Sequence, residues 1–138
     1  MQSVDLLVVE DSPADVDLVE EVLTEFENNI ELHVTRNGVE ALGFIRDEEQ
    51  DFPDLILLDL DLPQMNGFEF LDELKGDPDF KHLPVCVLTM SNAEEDILKA
   101  YRRGANSCLT KPLGFEEFNQ IMQSVNSFWF ETVNLPPK

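Results

Sequence analysis

Five short stretches of the chain carry side chains able to do chemistry together: Glu10-Asp11, Asp59, Asp61, Thr89 and Lys111. Glu10-Asp11 follows Leu6-Leu7-Val8-Val9, Asp59 follows Leu55-Ile56-Leu57-Leu58, Thr89 follows Val85-Cys86-Val87-Leu88, and Lys111 follows Ser107 to Thr110. A charge at the end of a buried strand costs solvation energy and needs a compensating partner. Gathered in one crevice, Glu10, Asp11 and Asp59 would repel; two such charges about 4 Å apart cost roughly 4 kcal/mol at an effective dielectric of about 20. A cation relieves that repulsion, and an all-oxygen carboxylate set suits Mg2+. A lysine ammonium and a threonine hydroxyl nearby can hold phosphoryl oxygens. Asp59, between the acidic pair and Thr89/Lys111, is then the nucleophile, and the chemistry is transfer of a phosphoryl group to form an acyl phosphate.

These residues need elements that bring them to one place. The four-residue apolar runs read as strands buried on both faces of a parallel sheet. Ser12-Pro13 supplies an N-cap and a proline at the first helical position, with Val16, Val19, Leu23 and Phe26 at helical spacing behind it. Ile30, Leu32 and Val34 alternate with polar residues as a second, half-buried strand, and Asn37-Gly38 opens a helix carrying Val39, Leu42, Phe44 and Ile45. Pro63 and Gly67 turn the chain after Asp59 into a third helix, 67–74, closed by Gly76-Asp77-Pro78. A fourth helix, 94–103, stops at Gly104, and Phe115, Phe118, Met122, Val125 and Trp129 stripe the last. Strand and helix alternate five times. That pattern predicts an α/β fold with a doubly wound, five-stranded parallel sheet, five helices and right-handed crossovers. In such a sheet the carboxyl ends of the strands converge on one crevice. Residues 1–130 make up the domain, and 131–138 form a tail with no output domain. The Phe128-Trp129-Phe130 cluster is expected to fold back onto the domain.

The chain has 138 residues, one domain's worth, and a net charge of −20 from 29 acidic and 9 basic side chains. That charge argues against direct binding to nucleic acid, whose phosphates attract Lys and Arg. It suits a high-salt environment, where self-repulsion is screened; stability should then rise from low to molar salt. No apolar run is long enough to span a membrane and no basic, signal-like segment precedes the first strand, so the expected location is cytoplasmic. Cys86 and Cys108 lie in strand-like runs and read as reduced core thiols. His33 and His82 are isolated in sequence and give no zinc spacing.

Glu10-Asp11, Asp59 with Pro63 and Gly67 behind it, Thr89 and Lys111-Pro112, in this order, resemble the receiver domains of two-component response regulators over residues 4 to about 130. The resemblance implies the CheY-like strand order 2-1-3-4-5. It implies that Asp59 accepts phosphate from a phosphohistidine of a sensor histidine kinase. It further implies Mg2+ held by Asp11, Asp59 and the backbone carbonyl of Asp61, with Glu10 acting through water, phosphoryl contacts from Thr89 and Lys111, and a cis bond before Pro112. A receiver has no catalytic role beyond its own phosphorylation and dephosphorylation.

Residues 76–85, Leu88-Thr89-Met90-Ser91 and 128–136 are similar to regulators partnering bacteriophytochrome-type kinases, which implies a phytochrome-type kinase partner. A homodimer through the last helix or tail is part of that resemblance. Two positions depart from the family pattern. Cys108 stands where receivers carry Tyr or Phe, and is too small for the usual threonine–aromatic switch. Asp61 adds an acid where a neutral side chain is common. Asp59-Leu60-Asp61 also resembles the opening of a haloacid-dehalogenase-type phosphatase, but Leu62-Pro63 follows and the acidic pair lies upstream. A flavodoxin-like flavin binder would place a phosphate-cradling loop where Glu10-Asp11 stand. A phosphorylation-independent interaction module would have no use for the complete acidic, threonine and lysine set.

Overall fold

The computed structural model describes residues 3–138. Strands β1 (Ser3–Val9), β2 (Asn29–Thr35), β3 (Leu55–Leu58), β4 (Val85–Thr89) and β5 (Ser107–Thr110) alternate with helices α1 (Pro13–Leu23), α2 (Gly38–Arg46), α3 (Gly67–Lys75), α4 (Glu94–Arg102) and α5 (Phe115–Val125). All paired strands are parallel, as the alternation predicts, and their order β2-β1-β3-β4-β5 is the one the family resemblance implies. Among the described residues no helix is long and apolar enough to cross a membrane.

The period-two geometry of each strand divides the interior in two. Leu6, Val8, Leu55, Leu57, Cys86 and Leu88 pack with Val19 and Val22 of α1 and with Phe118, Met122 and Val125 of α5. Their sequence neighbours Leu7, Val9, Ile56, Leu58, Val85 and Val87 pack with α2, α3 and α4 through Leu42, Ile45, Phe70, Leu71, Leu74 and Ala100. Helix starts follow local chemistry. Ser12, Asn37 and Asn66 each accept a backbone N–H three residues on, and Asn66 with Glu69 completes a reciprocal capping box.

The β3–α3 turn fixes where Asp59 points. Gln64 adopts a left-handed φ of 63°, a turn conformation an L-residue takes at some cost. Gly67 donates its N–H to Leu60 O (3.0 Å). A Cβ there would lie 2.6 Å from Asp59 O and 2.7 Å from Leu60 Cα, so α3 seats against the acceptor strand only because position 67 has no side chain.

Four sequence expectations change. In β2, Thr35 is enclosed and Val34 is not, because the Glu10 N–H closes the strand end onto Thr35 O (2.9 Å). In α2, Val39 is exposed while Ala41 joins Leu42 and Ile45 inside. The last helix reaches Trp129 as the stripe predicts, but over Asn126–Thr132 it is π-helical, and this divides the aromatic cluster. Trp129 and Phe130 pack against the α1/α5 core, whereas Phe128 is exposed. Finally, the Lys111–Pro112 bond is trans, and no cis peptide occurs among the described residues. The tertiary amide favours trans by about 0.5–1 kcal/mol. Nothing in this arrangement opposes that preference, since Lys111 already reaches its carboxylate partners through the trans bond.

Candidate functional site

The carboxyl ends of β1, β3, β4 and β5 line one open crevice of about 930 Å³. Glu10, Asp11, Asp59, Asp61, Thr89 and Lys111 all reach it, so the structure gathers every chemically active side chain singled out in the sequence. Asp59 follows β3 at the point where the strand order reverses, beside β1, and donates its N–H to Val9 O (3.1 Å). Open α/β sheets bind ligands at such switch points.

Lys111 is the hub. Its N–H donates to Thr89 O (2.7 Å), which fixes the backbone beside β4. Its ammonium, nearly enclosed, pairs with Glu10, with Asp15 Oδ2 at 2.8 Å and with Asp59 Oδ2 at 3.7 Å. Burial works against that ammonium, but the Asp15 and Glu10 carboxylates hold its pKa above the ordinary lysine value. Burial pushes the Glu10 carboxyl up to about 7; the Lys111 hydrogen bond pulls against this, and the Asp59 charge adds to it. Glu10 Oε2 also accepts the Ser12 N–H (3.2 Å).

One carboxylate oxygen from each of Glu10, Asp11 and Asp59 can be chosen so that all lie within 4.8 Å of one another. This all-oxygen set fits a hard divalent cation. The Asp61 N–H donates to Asp59 Oδ1 (3.4 Å), and its own carboxylate is exposed.

Thr89 is buried, and its hydroxyl accepts the Ser91 N–H (3.4 Å). Ser91 in turn donates to Asp96 Oδ2 (2.6 Å) in the first turn of α4. Behind Thr89 lies a void of about 20 Å³ lined in part by Val87, Ile97 and Cys108. Cys108 does not fill it; its N–H donates to the Tyr101 hydroxyl of α4 (3.2 Å). Both cysteines are free. Cys86 is fully buried, which pushes its thiol up to about 11, while Cys108 is only half buried.

Sequence reasoning missed Asp15, Asp96 and Tyr101. A signal for Asp15 was present, because Ser12-x-x-Asp15 has capping-box spacing. Ser12 Oγ does accept the Asp15 N–H (3.4 Å), but Glu10 takes the Ser12 N–H and Asp15's carboxylate turns to Lys111 instead.

A second cluster lies at the opposite edge of the sheet. Asp5 and Glu31 are direct cross-strand partners in β1 and β2. His33 Nε2 lies 3.2 Å from Asp5 Oδ1, its ring 4.9 Å from that of Phe44. Lys138 reaches back from the tail to Asp5 and to Asp54 (3.4 Å). Burial raises the Asp5 carboxyl, but Lys138 and His33 outweigh it and hold its pKa below the ordinary value.

The family model for the response regulator receiver domain matches residues 6–123, and the chain belongs to that family. The response regulator Rcp1 of Synechocystis sp. is 43% identical over 135 residues, which cover 95% of this chain and 92% of Rcp1. A crystal structure of Mn2+-bound Rcp1 matches with a TM-score of 0.91 at 42% identity, covering 96% of this chain and 99% of that one. The phosphorylated cyanobacterial phytochrome response regulator RcpA matches with a TM-score of 0.94 at 37% identity, covering 99% and 100%. The chain is thus a signalling phosphoacceptor of the two-component type, homologous to phytochrome response regulators and without catalysis beyond its own phosphorylation and dephosphorylation. Its cofactor is the family's divalent cation, Mg2+, for which the acidic crevice has the right donors. Membership sets aside the phosphatase and the flavin binder.

Proposed function

We propose that Asp59 is the phosphoacceptor and that its phosphoryl donor is the phosphohistidine of a phytochrome-type sensor kinase. The observation that carries the assignment is the position of Asp59: at the switch point, with Glu10 and Asp11 oxygens on one side and the Lys111 ammonium 3.7 Å away. An Asp59 oxygen attacks phosphorus, the P–N bond to the donor histidine breaks as the new O–P bond forms, and the histidine nitrogen regains a proton. Asp11, Asp59 and the backbone carbonyl of Asp61 would hold Mg2+, with Glu10 acting through water; the bound ion would supply charge to offset the carboxylate repulsion and to orient phosphoryl oxygens. Lys111 and the Thr89 hydroxyl take the remaining oxygens. The kinase assignment draws on the similarity to RcpA, a phytochrome response regulator.

Output follows from the movement of Thr89. To reach a phosphoryl oxygen its hydroxyl gives up the Ser91 N–H, which frees the start of α4. The α4–β5–α5 face, where Leu98, Tyr101, Leu113 and Phe115 are exposed, then changes its contacts with partners. A homodimer through α5 and the segment after it belongs to the same proposal, supported by the exposed Phe115 and Phe128. Sedimentation velocity at rising concentration tests it.

The deciding experiment is intact-protein mass after incubation with acetyl phosphate, with and without Mg2+. One Mg2+-dependent phosphoryl adduct, absent from Asp59→Asn, is expected. An adduct that survives in Asp59→Asn removes the assignment. Hydrogen exchange over residues 89–115 should change on phosphorylation, and an unchanged pattern removes the output step.

A further inference from the structure

Asp15 lies outside the residue set the family resemblance implies, yet it makes the 2.8 Å contact to the Lys111 ammonium while Asp59 stands at 3.7 Å. Coulomb attraction scales as 1/r, so at equal dielectric Asp15 holds that charge about a third more strongly than Asp59 does. Asp15 is placed for this by its position in the first turn of α1. Ser12 Oγ caps its N–H, and Glu10 occupies the Ser12 N–H that a capping-box carboxylate would otherwise take. Its side chain is 31% exposed against 9% for Lys111. The pair therefore sits at the rim of the crevice, with the lysine inside and the aspartate over it.

We infer that Asp15 is a positioning residue for phosphoryl transfer: it berths the Lys111 ammonium in the resting protein and thereby sets how readily that charge reaches a phosphoryl group on Asp59. The inference rests on the assignment of Asp59 as acceptor. Asp15 acts against the phosphorylated state in two ways, both through Lys111. Its carboxylate competes with the phosphoryl oxygens for one ammonium, and while the ammonium is paired with Asp15 it neutralises less of the charge at Asp59. Glu10 cannot serve as the berth alone, because its carboxylate is also among the three placed to serve a cation, directly or through water. Asp15 keeps Lys111 from closing on Asp59 before the phosphoryl group arrives.

The test compares adduct formation from acetyl phosphate and adduct decay, followed by intact mass, in wild type, Asp15→Asn, Asp15→Glu, Lys111→Ala and Asp15→Asn/Lys111→Ala, with Asp59→Asn as control. Asp15→Asn keeps the size of the side chain and removes its charge. It should accumulate adduct about two- to fivefold faster and lose it more slowly, the range expected for removing one partly exposed charged competitor. Asp15→Glu should restore the wild-type rates, and in the Lys111→Ala background the Asp15 substitution should change nothing. Unchanged rates in Asp15→Asn, or an equal gain without Lys111, overturn the inference and leave the Asp59 assignment standing. A wild type with no adduct, or an adduct that persists in Asp59→Asn, overturns the assignment and this inference with it.

Discussion

The two edges of the sheet are built from similar parts. At the carboxyl edge Lys111 sits among Glu10, Asp15 and Asp59; at the amino edge Lys138 sits between Asp5 and Asp54, with His33 alongside. The difference lies in what surrounds them. The carboxyl-edge group opens onto a crevice framed by four strand ends, and its carboxylates outnumber its ammonium. At the amino edge Asp54 and Lys138 also line an open cleft, of about 720 Å³, but the cation is supplied by the chain's own tail and the backbone ties the two acids together: Asp5 and Asp54 each donate an N–H to the other residue, to Asp54 Oδ2 and Asp5 O, both at 2.8 Å. A lysine among carboxylates therefore does not define a functional site. An excess of carboxylates gathered where four strand ends meet at the switch point of the sheet does.

The sharpest way to break this contrast is to remove one acid from each edge. Asp59→Asn should abolish the acetyl phosphate adduct, whereas Asp5→Asn should still form it; loss of the adduct in both would mean that the edges are not functionally distinct. A second difference is in pH response. Glu10 is raised towards 7, so its proton favours the cation-free fold at low pH, and that contribution is lost as pH rises through about 7. Binding of Mn2+, read by its electron paramagnetic signal, should therefore strengthen by up to about thirtyfold between pH 5.5 and 8. Asp5 is shifted the other way, so the stability it contributes is present above the ordinary Asp range and is lost as pH falls through and below it. Lys138→Ala should flatten that acid dependence in urea unfolding while leaving Mn2+ affinity alone.

The next effects concern the frame of the carboxyl edge. Gly67→Ala should destabilise the fold by about 2–3 kcal/mol in urea unfolding, since the added methyl meets Asp59 and Leu60 backbone that cannot yield. An Ala variant as stable as wild type would show that the β3–α3 turn is not fixed by that approach. Smallest is Tyr101→Phe, which removes the acceptor of the Cys108 N–H at a partly exposed site and should cost about 0.5–1 kcal/mol. A larger change in output than in stability would mark Tyr101 as the aromatic that β5 lacks.

The strands and the carboxyl-edge chemistry were legible because each signal is local: an apolar run, then one polar or charged residue at its end. Alternation of strand and helix supplied the parallel, doubly wound sheet and the family resemblance its strand order, and the shared carboxyl edge of that sheet brought Glu10, Asp59, Thr89 and Lys111 together. What the sequence concealed depends on partners far along the chain. Lys138 meets Asp5 across a separation of 133 residues and Lys111 meets Asp15 across 96, and no periodicity encodes either meeting. His33, isolated in sequence, finds Asp5 only through the β1–β2 register. The exposure of Phe128 was hidden because a π-helical segment lacks the period from which a buried face is read.

The sheet's division of the interior has an evolutionary reading. Residues such as Met122 and Leu71 lie in separate hydrophobic clusters on opposite faces, so substitutions beneath α5 and beneath α3 should combine additively. Each face can drift at its own pace, and a lineage can remodel one set of helices while the other holds the crevice in register.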